Sequence, residues 1–311
     1  MTQSLPSFAA FATLVLAAAS AVGQSPSRDF RPRISQSQAS DDRLMLDMIA
    51  KIRSYDSISA RIRHKVDLLG EQLAGTGVYL QRGRGDKQKI RLELKIQVAG
   101  QTTSIQQVCD GADLWLHNDF VDKVTLTRID VQRVREAMSR KDPRRGQFEQ
   151  VQLALCGLPK LLESLNNSFQ FRFVQQDRLD GVPVNVLRGT WRPEALAATF
   201  PNPKAKKVEE EGEGSKRAAG KLPAHAPDVI VLLVGQGDQF PYRIEFRRRV
   251  QSDENSPDQT DPTIPLVVME WFEVSLDTPI DERQFDYRPG NLKDSNGTQK
   301  LLEQLGLAEE E

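Results

Sequence analysis

Apolar and polar residues alternate along most of this chain, which predicts half-buried β-strands. The clearest case is residues 90–98, where Ile, Leu and Val alternate with Arg, Glu, Lys and Gln. Turns between the strands are short, so neighbours should pair antiparallel, because parallel strands need long crossovers. Gly75 and Gly77 mark one predicted turn, and Gly83 to Asp86 and Leu179 to Gly181 mark two more. The predicted strands are residues 58–68, 78–80, 90–98, 104–110, 114–117, 124–129, 169–173, 182–191, 229–234, 242–246 and 266–276.

Three segments carry helical spacing instead. Ser40 can cap the first helix, which ends near Tyr55. Asp130 can cap the second, which runs to Arg140, and Pro159 fits the first turn of the third, which runs to Leu165. The apolar face of the first helix holds Leu44, Met45, Met48, Ile49 and Ile52.

The order of these elements predicts one folded domain over residues 41–290. Residues 24–40 are polar and lack a period, which favours a disordered tail. Residues 193–227 and 252–263 are predicted disordered inserts, because they mix both charges or are wholly polar. Residues 291–311 are predicted to be a polar C-terminal tail with one weak helical stretch.

The N-terminal segment predicts export. Residues 8–22 are uncharged, too short to span a bilayer, and of the size of a signal-peptide core. A buried N-terminal helix is the alternative, but the segment has no polar face to meet water. Cleavage is expected after Gly23, and no cysteine follows for lipid attachment. With no run near the roughly 20 apolar residues of a membrane helix, the protein should lie in the periplasm or otherwise outside the cytoplasm.

Charge and composition narrow the possible partners. The chain has 42 Lys+Arg and 43 Asp+Glu, a net charge of -1. A broad nucleic-acid-binding surface usually needs a basic excess, so nucleic acid is not an expected partner. Hydrophobic residues make up only 39%, which the predicted polar tails and inserts explain.

Motifs for catalysis are absent from the sequence. It holds no G-x-S-x-G, P-loop, H-E-x-x-H or strand-following G-x-G-x-x-G pattern. His64, His117 and His225 are widely separated and form no metal spacing with the cysteines. We therefore predict no catalytic residue, no metal and no cofactor, and expect the protein not to be an enzyme. His64 lies on the apolar side of its strand, where a hydrogen-bonded core histidine is expected.

Two cysteines leave one question open. Cys109 and Cys156 could form a disulfide in an oxidising compartment. Two buried thiols are the alternative, because cysteine also packs as a small hydrophobe.

Four motifs, in order along the chain, resemble the periplasmic lipoprotein-carrier family, which includes LolA-like, LolB-like and RseB-like domains. They are Arg53 to Leu68 at the junction of helix and strand, Gly77 to Arg82 in the second strand, Asp110-Gly111 with Leu114-Trp115, and Thr278 to Asp281 with Phe285 to Pro289.

The resemblance implies an α+β fold, an incomplete, unclosed antiparallel β-barrel with an N-terminal helix and midchain lid helices. Acyl chains of a lipid or lipoprotein would bind in an apolar cavity, where each buried CH₂ contributes about 0.8 kcal/mol. The candidates to line this cavity are Ile62, Val66, Leu92, Leu94, Phe171, Phe173, Phe246 and Trp271. The lid candidates are Val134, Met138, Leu161, Leu162 and Leu165.

The resemblance leaves two functions open. One is an exported carrier or binder of acyl chains, expected to be a monomer that meets membrane-associated donor or acceptor proteins. The other is a non-enzymatic sensor or interaction module of the RseB-like type. Such a regulator would be expected to carry a second domain, and only a short polar segment follows Gly290, which favours the carrier. Gly83 follows Arg82 where the family's carriers have proline, so no lid-holding role is expected for Arg82.

Overall fold

A computed structural model describes residues 36–68, 71–98, 101–120, 123–140, 149–200, 222–223, 226–249 and 263–308. The predicted signal peptide, residues 24–35 of the predicted tail and residues 252–262 of the second insert lie outside these ranges. So do residues 201–221, 224–225 and 309–311.

Strands form most of the described chain. The helices are α1 (Gln36–Ser54), α2 (Val131–Arg140), α3 (Glu149–Ser168), α4 (Pro193–Thr199) and α5 (Thr298–Leu305). The strands are β1 (Ser57–Leu68), β2 (Glu71–Arg82), β3 (Lys89–Val98), β4 (Gln101–Cys109), β5 (Asp113–Phe120), β6 (Lys123–Asp130), β7 (Phe169–Leu179), β8 (Val182–Trp191), β9 (Val229–Gly235), β10 (Pro241–Arg249), β11 (Thr263–Leu276) and β12 (Ser295–Asn296).

All twelve strands belong to one unclosed sheet, in the order β12-β6-β5-β4-β3-β2-β1-β11-β10-β9-β8-β7. Two antiparallel meanders, β1 to β6 and β7 to β11, meet where β1 pairs with β11 and Ile62 lies opposite Trp271. Helices pack against one face of this sheet and share a hydrophobic core with it. The predicted α+β fold, an unclosed barrel with an N-terminal helix and midchain helices, is confirmed.

The predicted turn at Gly75 and Gly77 is wrong, because both glycines lie inside β2. They are needed for close approach of two strands rather than for a turn. A Cβ added at Gly75 would lie 2.5 Å from the carbonyl oxygen of Lys95 on β3, and one at Gly77 would collide with that of Glu93. Glycine at such positions lets neighbouring strands bend around a barrel-like surface.

Helix α1 begins at Gln36, earlier than the predicted cap at Ser40. No glycine or proline interrupts residues 36–54, so the helix can continue through the polar residues before Ser40. The predicted apolar face is buried from Met45 to Ile52. The hydroxyl of Tyr55, just after the helix, donates a hydrogen bond of 2.8 Å to the carbonyl oxygen of Asp238.

The C-terminal segment differs from the predicted polar tail. After β11 the chain crosses the outer face of the sheet, where Tyr287 stacks on Trp115 with ring centroids 5.3 Å apart. It then adds β12 in parallel beside β6 and continues into α5. Leucines at helical spacing give α5 a buried stripe despite its polar composition. They are Leu301, Leu302 and Leu305, with Leu307 just beyond the helix.

The predicted insert at residues 193–227 is shorter at both ends. Residues 193–199 form α4, with Pro193 in its first turn and Ala195 buried. Phe200 packs edge-on against Trp191, with ring centroids 5.9 Å apart. The indole of Trp191 also donates to the carbonyl oxygen of Pro227 at 2.8 Å, so these aromatic contacts draw both ends of the insert to the sheet.

Candidate functional site: the helix-covered face of the sheet

The inward face of the sheet, which we call the concave face, is apolar along its central strands. Six of the eight predicted lining residues are buried there or at its edge: Ile62, Val66, Leu92, Phe171, Phe246 and Trp271. Leu94 is partly buried and packs against the same core. The alternating pattern of the strands thus brings these side chains together on one side.

Phe173 is the exception among the predicted lining residues, because 39% of it is exposed. Phe171 packs over Gly189 of β8, where an added Cβ would lie 2.6 Å from the ring. Phe173 lies two residues further along the edge strand β7, beside a register shift between Phe173 and Gln175. The alternation predicts which side of the sheet Phe173 lies on. It does not predict how much of the strand the neighbouring elements cover.

The predicted lid helices lie over the concave face as part of the core. Val134 on α2 and Leu161, Leu162 and Leu165 on α3 are buried, and Met138 is partly buried. Helix α3 contacts β3, β4, β7 and α1, whereas α2 contacts β5 and the C-terminal helix α5. Arg53 of α1 forms an ion pair with Glu163 of α3. Within the described residues, α1, α2, α3 and α5 therefore cover the inner face of one continuous sheet.

Helix α3 is kinked at Gly157, whose φ of 69° and ψ of -168° are not helical. Pro159 follows, so a new helical turn begins beyond the kink, as the sequence predicted. Only glycine fits here, because an added Cβ would lie 2.5 Å from Oε1 of Gln81 and 3.0 Å from Nε2 of Gln88. The kink thus brings the backbone of α3 directly against buried polar side chains of the sheet.

These polar groups form what we call the polar latch, which consists of Tyr79, Gln81, Gln88 and the backbone at Gly157 and Leu158. The Leu158 N–H donates to the hydroxyl of Tyr79 at 3.0 Å, and that hydroxyl donates to Oε1 of Gln81 at 2.6 Å. All three side chains are buried. Burial raises the pKa of the Tyr79 hydroxyl, so it remains a donor across the physiological range.

His64 departs from the expectation of a hydrogen-bonded core histidine. It is buried on the concave face between Ile62 and Val66, yet its Nε2 has no hydrogen-bond partner among the described residues. Burial lowers the pKa of His64 from 6.5 to about 4, so the imidazole is neutral at pH 7. The indole Nε1 of Trp271 is also buried without a hydrogen-bond partner in that part of the chain.

One crevice and one groove on the sheet are large enough to describe. A crevice of about 40 Å³ lies between α1 and strands β8 and β9, lined by Leu44, Met48, Leu187 and Val234 among others. A space of this size does not hold an acyl chain. A larger groove of about 390 Å³ lies on the outer face, where Val78 and Leu80 meet residues 278–281.

Arg82 is placed away from the lid helices. Its guanidinium donates to the carbonyl oxygen of Ile280 at 2.9 Å and lies 3.3 Å from a carboxylate oxygen of Glu282. It therefore holds the segment that follows β11 rather than a helix over the concave face.

Metal and membrane features were searched in the described ranges. They contain no group of three or more His, Cys, Asp and Glu side chains placed to hold a metal ion. None of their helices is long and apolar enough to cross a bilayer. Cys109 is buried on β4. Cys156 lies in α3 with its side chain outside the description, so the disulfide stays a prediction.

No family model matches the sequence, and no curated protein matches it significantly. The chain does match solved structures. A DUF1329 family protein from Desulfovibrio piger aligns with 81% of this chain and 98% of its own, at 10% identity and a TM-score of 0.35. A LolA superfamily protein from Nitrosomonas europaea aligns with 79% and 98%, at 13% identity and a TM-score of 0.26.

A chain of the MucA/MucB complex from Pseudomonas aeruginosa also matches, at 12% identity and a TM-score of 0.39. The alignment covers 79% of this chain and 60% of that one, so this protein spans about three fifths of that relative's length. The matches include the LolA class of structure that the sequence resembles.

Proposed function

We propose that this protein is an exported carrier or binder of lipid or lipoprotein acyl chains, held between the concave face and its covering helices. One observation carries the proposal: the apolar face of a single unclosed sheet is covered by separate helices rather than by a second sheet. Moving a helix would open that surface without breaking the ladders between strands.

Opening the concave face to an acyl chain has a free-energy cost, because a helix must move. The crevice of about 40 Å³ beside α1 is too small for an acyl chain, so a chain can enter there only if a helix moves. Moving α3 away would break the hydrogen bond from the Leu158 N–H to Tyr79, at about 1–3 kcal/mol for each buried group left unpaired. Tyr79 and Gln81 both lie on β2 and would stay bonded to each other. Burying fifteen methylenes of an acyl chain would contribute about 12 kcal/mol of favourable binding free energy. Ligand burial therefore exceeds the cost of releasing the latch.

The first experiment is extraction of bound lipid. Protein purified without detergent from the periplasm should carry acyl lipid that mass spectrometry finds in organic extracts. The stripped protein should then bind a fluorescent fatty acid. Absence of acyl species, together with no binding by the stripped protein, would contradict the proposal.

Variants can place the ligand on the concave face. Phe171→Ala and Leu162→Ala shorten buried side chains of β7 and α3, and should change the affinity for the fluorescent fatty acid. Val124→Ala is the matched control, because Val124 is exposed on β6, far along the sheet from β7. Circular dichroism would confirm that each variant is folded. Equal affinities in all three variants would remove the concave face as the binding site.

A second candidate function, a sensor or interaction module that binds an extended peptide, is favoured by the edge strand β7. Within the described chain, β7 pairs only with β8, and Phe173 and Val174 are 39% and 48% exposed on it. An added strand could pair with such an edge. Val174→Lys should weaken a peptide partner without changing fatty-acid binding, which separates this function from the carrier.

A further inference from the structure

Two buried polar atoms on the concave face lack hydrogen-bond partners within the described residues, Nε2 of His64 and Nε1 of Trp271. Such groups are rare in folded proteins, because each costs about 1–3 kcal/mol when left unpaired. A third atom of this kind, Nε of Arg243, differs because it lies 2.7 Å from a carboxylate oxygen of Glu245. Of these three atoms, Nε2 of His64 and Nε1 of Trp271 therefore have neither a hydrogen-bond partner nor an opposite charge beside them among the described residues.

The register of the sheet places these two side chains beside each other. On the antiparallel strands β1 and β11, Ile62 lies opposite Trp271 and His64 lies opposite Met269. His64 and Trp271 are therefore diagonal neighbours, whose Cα atoms in such a pair are about 7–8 Å apart. Both side chains belong to the buried concave face.

The surroundings decide what these atoms could bind. Ile62, Val66 and Met269 are the nearest residues on the two strands, and all are apolar and buried. A charged head group would be costly in such surroundings. The indole N–H can only donate a hydrogen bond, and Nε2 also donates in the tautomer of the neutral imidazole that carries its hydrogen there. The matching partner is a neutral acceptor that carries no hydrogen of its own, such as a carbonyl oxygen.

We propose that His64 and Trp271 recognise the ester carbonyl groups of an acylated lipid within the concave face. The inference rests on the proposed acyl-chain function and names the chemical class of the ligand, acyl esters rather than hydrocarbon chains alone. In the closed protein the two atoms stay unpaired, and a bound ester satisfies them. The ester carbonyl thereby fixes the depth to which the acyl chain enters.

The test compares two phospholipids with the same head group and chain length, one with ester-linked and one with ether-linked chains. The ether lipid lacks both carbonyl groups but buries the same hydrocarbon. The wild-type protein, stripped of lipid, should bind the ester lipid roughly tenfold more tightly, as expected for one or two added hydrogen bonds. Equal affinity for both lipids would overturn the inference and leave the proposed function intact. Binding of neither lipid would instead contradict the proposed function.

Variants separate recognition from packing. Trp271→Phe and His64→Leu should each lower the preference for the ester lipid to within about threefold, because ester-lipid affinity falls more than ether-lipid affinity. Met269→Leu is the control on the same strand and should keep the wild-type preference. Loss of both affinities in parallel would indicate a packing role and overturn the inference. The indole N–H resonance of Trp271 should also shift with the ester lipid and not with the ether lipid.

Discussion

The hydroxyl of Tyr79 on β2 accepts a hydrogen bond from the backbone N–H of Leu158, the first residue after the kink in α3. The same hydroxyl donates to Gln81, so one buried phenol holds α3 to the centre of the sheet. This buried polar contact adds to the ion pair between Arg53 and Glu163 and to the apolar packing of α3.

Tyr79→Phe should lower the free energy of unfolding by about 1–3 kcal/mol, because it leaves Gln81 and the Leu158 N–H buried without their partner. Hydrogen exchange of amides in residues 158–165 should accelerate more than that of the strands. Tyr55→Phe removes the hydroxyl that bonds Asp238 and serves as the matched control. Equal acceleration of α3 in both variants would contradict a latch at Tyr79.

Gly157→Ala should destabilise the protein more than Gly290→Ala does. Both glycines have positive φ, 69° and 61°, so both substitutions strain the backbone. Only at Gly157 would the new Cβ also meet a side chain, 2.5 Å from Oε1 of Gln81, whereas nothing lies within 4 Å at Gly290. Urea unfolding of the two variants measures the difference. Equal losses of unfolding free energy in the two variants would mean that α3 shifts to accept the new Cβ with no loss of stability.

Stability should fall as the pH drops from about 6.5 to about 4, partly through His64. The pKa of this imidazole is about 4 in the folded protein against 6.5 for an unperturbed histidine, so the unfolded chain binds more protons between these values. The free energy of unfolding should decrease by up to about 3 kcal/mol across this window. His64→Leu should remove this part of the slope in urea titrations at several pH values. An unchanged slope would show that His64 titrates alike in both states.

Leu302→Ala should cost about 2–5 kcal/mol of unfolding free energy, because Leu302 of α5 is buried in the core of the sheet and helices. Gln304→Ala, at an exposed position of the same helix, should cost little. Thermal unfolding of both variants tests whether the C-terminal helix is part of the folded domain. A similar small loss for both would contradict its packing in the core.

Much of the fold follows from local sequence. The alternation at residues 90–98 predicts β3, and the helical spacing from Met45 to Ile52 predicts the buried face of α1. Pro159 marks the helical turn after the kink. These signals work because each depends on residues close together in the chain. Gly75 and Gly77 were misplaced because their role depends on Glu93 and Lys95 across the strand pair.

The candidate site could be predicted only in part for the same reason. Alternation selects the side of a strand that Ile62, Trp271 and Phe173 occupy, but coverage by helices decides which of them is buried. The polar latch could not be predicted from spacing, since Tyr79 and Leu158 belong to distant elements. The leucines of α5 do repeat at helical spacing, so their stripe was the one signal that could have revealed the packed C-terminal helix.

The pairing of β1 with β11 also bears on how the protein is made. Strand β1 can pair with β2 early, but its other neighbour, β11, is formed by residues 263–276. Pairings between such distant segments form slowly, and unpaired strands expose a chain to aggregation. During synthesis, β1 would thus keep one unpaired edge until residues 263–276 have been made.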